Sequence, residues 1–100
     1  MENASIFELK PVNGQKSFYG KAQVLVFMGE HYLKSYDTLV CSYNPNSGAF
    51  WRLWTGYSAT TMRHVNAFLA LYGLPGGGKQ WWDSFPVNFP IVVKEAGERA

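Results

Sequence analysis

Cysteine occurs once, at Cys41, so no disulfide can close within the chain and packing must hold it together. Histidine is nearly as scarce. His31 and His64 stand apart from each other and from Cys41 without ligand spacing, so neither a metal nor any other cofactor is expected. Charged residues make up only 16% of the chain, and nine Lys and Arg against seven Asp and Glu leave a net charge of +2. That balance falls short of the dense basic patch of a duplex-binding protein, and it excludes an acidic surface that mimics DNA. No apolar run approaches the roughly 20 residues that cross a bilayer. The opening MENASIFELK has two acids where a secretion leader would be basic and then apolar, so a cytoplasmic location is expected.

Nucleotide-hydrolysing machinery is also missing. Residues 73–79, GLPGGGK, satisfy the spacing of a phosphate loop, but Gln80 stands where Ser or Thr would hold magnesium. The preceding segment also reads as a helix, whereas such a loop follows a strand. These glycines are better explained as a helix stop and a hinge.

Aromatic residues are what the chain has in excess. Four Trp, six Tyr and seven Phe amount to 17% of 100 residues, more rings than one small core can hide. A single domain is expected, with a body over about residues 5–93 and fraying ends.

The pattern predicts an α+β fold, an antiparallel sheet of three to five strands with one helix across a face. Residues 6–12 form a short edge strand, since Pro11 suits an edge. Residues 21–28 place Ala22, Val24, Val26 and Met28 on one face and Leu25 with Phe27 on the other, as in a central strand covered on both sides. After a tight connection at Gly29-Glu30-His31, residues 32–43 read as one strand with Asp37 in its middle. Asn44-Pro45-Asn46-Ser47-Gly48 makes a hairpin loop and residues 49–54 return.

From Ser58 the period changes to 3.6. Thr61, Met62, Val65, Phe68, Leu69 and Tyr72 share one arc of a helix over 58–72, with Arg63, Asn66, Ala67 and Ala70 on the far side. Gly73, Leu74 and Pro75 are the expected stop, Leu74 folding back towards Leu69. Residues 79–85 form a short helical turn that packs Trp81, Trp82 and Phe85 on the body, and residues 91–93 form a last strand.

The candidate site residues cluster at the start of that helix and on the strand before it. Ser58 caps the first turn; Thr55, Thr60 and Thr61 supply more hydroxyls than a cap needs, so an anion site with Arg63 or Lys34 as countercharge is the alternative. Asp37 and His64 are read as structural polar residues, His64 bonding a strand carbonyl or the Thr60 hydroxyl. Asp37 either faces water or answers a buried donor such as His64. No nucleophile is arranged around them, so no catalytic residue is assigned and no enzyme is expected. Tyr36, Trp51, Arg52, Trp54, Tyr57, Lys79, Trp81 and Trp82 complete the set expected to meet a ligand or partner. The loops around residues 44–48 and 75–79 would border it. The second sheet face is either closed by the Trp81-Trp82 segment, the plainer reading, or left open as a stacking platform.

Three stretches, SYDTLV (35–40), RLWTGYSATTMRHVNAFL (52–69) and GGKQWWDSFPV (77–87), resemble a family of small uncharacterised proteins carried by bacteriophages, prophages and plasmids of Firmicutes. The likeness spans roughly residues 18–88. It implies a setting rather than a reaction: such proteins act stoichiometrically, blocking a host defence protein such as a CRISPR effector or sequestering a signalling nucleotide. A host defence protein is therefore the expected partner. A nucleotide or single-stranded nucleic acid is the alternative, and a homodimer through an open aromatic face is compatible with either.

Overall fold

Short apolar runs separated by tight turns fold here into one antiparallel sheet. The computed structural model describes residues 4–11 and 18–93. Among them, β1 (Ser5–Glu8), β2 (Ala22–Phe27), β3 (Glu30–Ser35), β4 (Thr38–Asn44), β5 (Ala49–Arg52) and β6 (Pro90–Val92) pair in sequence order, each antiparallel to the next. Two helices, α1 (Ala59–Ala70) and α2 (Lys79–Asp83), lie between β5 and β6 in the chain. The α+β class and the antiparallel meander are as expected, but the sheet has six strands.

The extra strand arises at Tyr36-Asp37. Residues 32–43 are two strands joined by a tight turn in which Tyr36 takes φ 55°, a left-handed conformation that a bulky residue seldom adopts. Asp37 is therefore an exposed turn residue and not a mid-strand acid. The β2–β3 turn is easier to rationalise: Met28 and Gly29 both have positive φ, as the favoured two-residue hairpin turn requires. The first strand is shorter than expected, ending at Glu8, and β5 ends at Arg52 rather than at Trp54. Residue 12 of the expected first strand lies outside the described residues.

Register decides which side chains face inward. Val24 pairs with Leu33, Leu33 with Cys41 and Cys41 with Arg52, so these four share a face, with Tyr43, Phe50 and Ile91 on the neighbouring row. A bulge at Val40 restores this parity. Without it Leu39, which pairs with Lys34, would point the same way as Cys41. The opposite face carries Ile6, Leu25, Tyr32, Ser42 and Trp51 in one row and Phe27, Ala49 and Val92 in another.

Helix α1 runs antiparallel along β3 on the inner face: Thr61 and His64 reach Ser35 at one end, and Tyr72 reaches His31 at the other, its hydroxyl 2.7 Å from Nδ1. Met62, Val65, Phe68 and Leu69 are buried against Val24, Leu33 and Cys41. Each such side chain contributes about 1.5–3 kcal/mol by leaving water. Ala67, expected to face outward, is buried as well, beside Leu9 and Phe7 from the chain's first described segment. The helix starts and stops as expected. Ser58 Oγ accepts from Thr61 N (3.0 Å), Gly73 takes φ 73°, and the buried Leu74 donates its N–H back to Leu69 O (3.1 Å).

Helix α2 packs on the same inner face. Trp82 is fully buried, and Trp81 and Phe85 stack around Phe50 with ring centroids 6.3 and 5.0 Å away. The plainer expectation, that this segment closes the second face, is therefore corrected, and with it the reading of β2 as covered on both sides. Among the described residues no element covers the face bearing Tyr32 and Trp51, which leaves Ile6 (57% exposed), Leu39 (45%) and Val92 (59%) in the open. Rings are in surplus as anticipated, with Phe7, Tyr19, Phe27, Tyr36, Tyr57 and Phe89 exposed.

Candidate functional site

Two concavities among the described residues, on opposite sides of the sheet, are each lined by three aromatic side chains. The first lies on the open face and follows directly from strand pairing. Tyr32, Ser42 and Trp51 sit side by side on β3, β4 and β5, a small residue between two large ones, so Ser42 becomes the floor of a groove. Glu30, Phe27, Met28 and Leu53 complete its walls, enclosing about 450 Å³. The Glu30 carboxylate is fixed by two donors: Ser42 Oγ donates to Oε2 (2.8 Å) and Asn44 Nδ2 to Oε1 (3.3 Å). Among the described residues no basic side chain pairs with it.

The second concavity, about 280 Å³, lies between the β3–β4 turn and the segment leading into α1. Tyr36, Trp54, Tyr57, Ser58 and Thr61 line it, so five of the residues expected to form a site do converge. Trp54 is held in place by a bare backbone: a Cβ at Gly56 would stand 2.5 Å from its Cζ2. Behind the cleft, Ser35 Oγ bonds His64 Nδ1 (2.8 Å) and lies 3.3 Å from Thr61 Oγ1. His64 thus answers a strand hydroxyl, not a carbonyl, Thr60 or Asp37, and its ring packs against Phe18 and Tyr36. Burial lowers its pKa below the ordinary imidazole value, and the Arg63 guanidinium adds to this. The Ser58 hydroxyl is engaged by Thr61 N, which satisfies the capping reading.

Other expected site residues fall elsewhere. Arg52 is buried and spends its donors on carbonyls: Nε on Trp54 O (2.9 Å), Nη1 on Trp82 O (3.0 Å) and Nη2 on Thr55 O (2.9 Å). Its guanidinium lies 4.6 Å from the centre of the Trp82 ring, and Asp83 stands 3.6 Å from Nη1. Trp82 in turn donates Nε1–H to Gly56 O (2.8 Å). Both are internal braces, out of a partner's reach. Trp81 is half-buried on Phe50. Lys79 is exposed, paired with Asp83 at 2.8 Å and poised 5.7 Å from the Tyr57 ring. Arg63 is exposed on α1, donating to Thr60 Oγ1 (3.4 Å). Trp51 alone of the set lies in the groove.

Sequence reasoning missed Glu30, Ser42 and Asn44. Alternation along β3 and β4 would have put Glu30 on the Tyr32 face, but the turn at residues 36–37 and the bulge at Val40 hide which residue of β4 stands beside it. Among the described residues, no three His, Cys, Asp or Glu side chains cluster as a metal site, and no helix is long and apolar enough to cross a membrane. Cys41 is fully buried, which pushes its thiol pKa well up.

Residues 7–84 match a family of unknown function, DUF8033, and the chain belongs to it. Comparison with curated proteins and with solved structures found no match.

Proposed function

We propose that the protein is a non-enzymatic binding protein that engages a protein partner through its uncovered sheet face. The observation that supports this is a six-stranded sheet bearing Ile6, Phe27, Leu39 and Val92 in the open around Tyr32 and Trp51, with no described element over them. An apolar face of that kind is a common mark of an interaction site. In the mobile-element setting that the sequence resemblance implies, the partner is a cytoplasmic host defence protein, and the chain acts as a stoichiometric, anti-CRISPR-like inhibitor of it. Phage plaquing on hosts carrying defined defence systems tests this. Expression of the chain raises plaquing against at least one system, Leu39→Glu abolishes the gain, and Arg63→Ala on the helix side keeps it. If no system in the panel responds, or Leu39→Glu protects as well as the parent, the reading fails.

A homodimer through the same face is the competing arrangement. Light scattering separates the two, since a monomer at micromolar concentration leaves the face free.

A second reading is favoured by the cleft at the start of α1, where Tyr36, Trp54 and Tyr57 offer ring surfaces to a nucleotide or single-stranded nucleic acid, with Lys79 beside Tyr57. Titration with mononucleotides, cyclic dinucleotides and oligonucleotides distinguishes it. Saturable, salt-sensitive quenching of tryptophan fluorescence supports the cleft, and its absence removes this reading.

A further inference from the structure

A carboxylate is set into the uncovered apolar face of the sheet, and the strand geometry says what it is suited to receive. Tyr32 and Trp51 stand two strands apart with Ser42 between them, which places their backbones roughly 9.5 Å from each other. Two rings that sandwich one planar group need about 7–8 Å between their planes. The slot is therefore wide enough for a single flat side chain. Ser42 is almost fully buried, so the floor offers little for such a group to bond, and its hydroxyl already points at Glu30.

Glu30 lies at one end of the slot. Ser42 and Asn44 hold one oxygen each, which fixes the carboxylate's position while leaving each oxygen further lone pairs. No cation of the chain's described residues neutralises it. Lys34, the basic residue on the same face of β3, is four residues along, roughly 13 Å away at strand rise. Wall and charge together select a group that is flat, cationic and tolerant of ring faces on both sides. A guanidinium meets all three requirements: it stacks on aromatic faces, presents a planar fork to a carboxylate and is less strongly hydrated than an ammonium.

We infer that the groove over Ser42 is a receptor for one arginine side chain of the protein partner, its guanidinium stacked between Tyr32 and Trp51 with the fork turned to the Glu30 carboxylate. The inference rests on the reading of the open face as a partner-binding surface, and it names the chemistry the partner must present at the centre of its own apolar patch.

The test needs no partner. The whole ¹⁵N-labelled chain is titrated with Nα-acetylarginine amide and, separately, with its neutral isostere Nα-acetylcitrulline amide and with Nα-acetyllysine amide. Arginine is expected to shift the Trp51 indole and the amides of Glu30 and Ser42, saturating on the order of 1–10 mM. Citrulline gives no saturable shift, and lysine binds more weakly than arginine. Glu30→Gln keeps two oxygen- or nitrogen-bearing positions for Ser42 and Asn44, so it preserves the fold, which the rest of its spectrum reports, and it weakens arginine binding about tenfold. Equal response to citrulline, tighter binding of lysine, or undiminished binding by Glu30→Gln overturns the inference. Failure here while Leu39→Glu still abolishes protection sinks the arginine slot alone. A slot that passes while no defence system responds sinks the host-partner reading alone.

Discussion

Arg52 joins three parts of the chain that no strand ladder connects. Its three guanidinium nitrogens bridge β5 to the residues entering α1 and to the C-terminal end of α2, and its charge is offset by the Trp82 ring face and Asp83. Removing it orphans the buried Trp82 carbonyl and the part-buried carbonyls of Trp54 and Thr55 at once. Arg52→Met is expected to lower stability by about 3 kcal/mol or more, and Arg52→Lys to rescue little of this, because one ammonium cannot reach carbonyls placed for a fork. Chemical denaturation of the two variants checks it. Gly56 is constrained by what sits on it: with the indole of Trp54 in the space a Cβ would take, Gly56→Ala should cost about 1–3 kcal/mol and shift tryptophan emission. His64 makes stability depend on pH. Its folded pKa lies below the unfolded value of 6.5, so the unfolded chain takes up the proton first, and stability present above that value is lost as the pH falls below it. The melting temperature should drop between pH 7 and pH 5, and His64→Gln, though less stable overall, should lose that part of the slope. An unaltered slope would mean the proton goes elsewhere.

Elements differ in how plainly their residues announce them. Helix α1 was legible because three separate signals agree: the 3.6 spacing of Met62, Val65, Phe68 and Leu69, the Ser58 cap, and the Gly73-Leu74 stop. Ser58→Ala should cost about 1 kcal/mol, and Ser58→Asp should restore it, both read from thermal unfolding. The β3–β4 turn was illegible because the residue that takes the left-handed backbone is the bulky Tyr36 and not Asp37, the neighbour whose type tolerates it. That turn misplaced Asp37, and the bulge at Val40 then concealed the Glu30-Ser42-Asn44 cluster. The cleft fared better: Tyr57, Ser58 and Thr61 are close in sequence, so one segment delivers most of it. The groove is assembled across three strands, and only register brings its parts together. The same reasoning explains Arg52 and Trp82, which look like surface binders by residue type but meet backbone carbonyls that no pattern encodes.

At the scale of the whole molecule, layers are distributed unevenly. Both helices pack on one side of the sheet, and among the described residues the other side carries rings and aliphatic groups without a second layer. Leu39→Glu therefore belongs to binding and not to stability: its side chain is 45% exposed, so unfolding free energy should change by no more than about 0.5 kcal/mol while partner binding is lost. A large drop in stability would place that residue against something in the isolated chain. The linear strand order also carries a meaning for biosynthesis. Five strands leave the ribosome before residue 59, so the hairpins can zip up one after another while the row from Val24 to Cys41 is still bare. For that interval the nascent sheet is sticky on two sides, and the arrival of α1 is the step that turns an aggregation-prone ribbon into a folded domain.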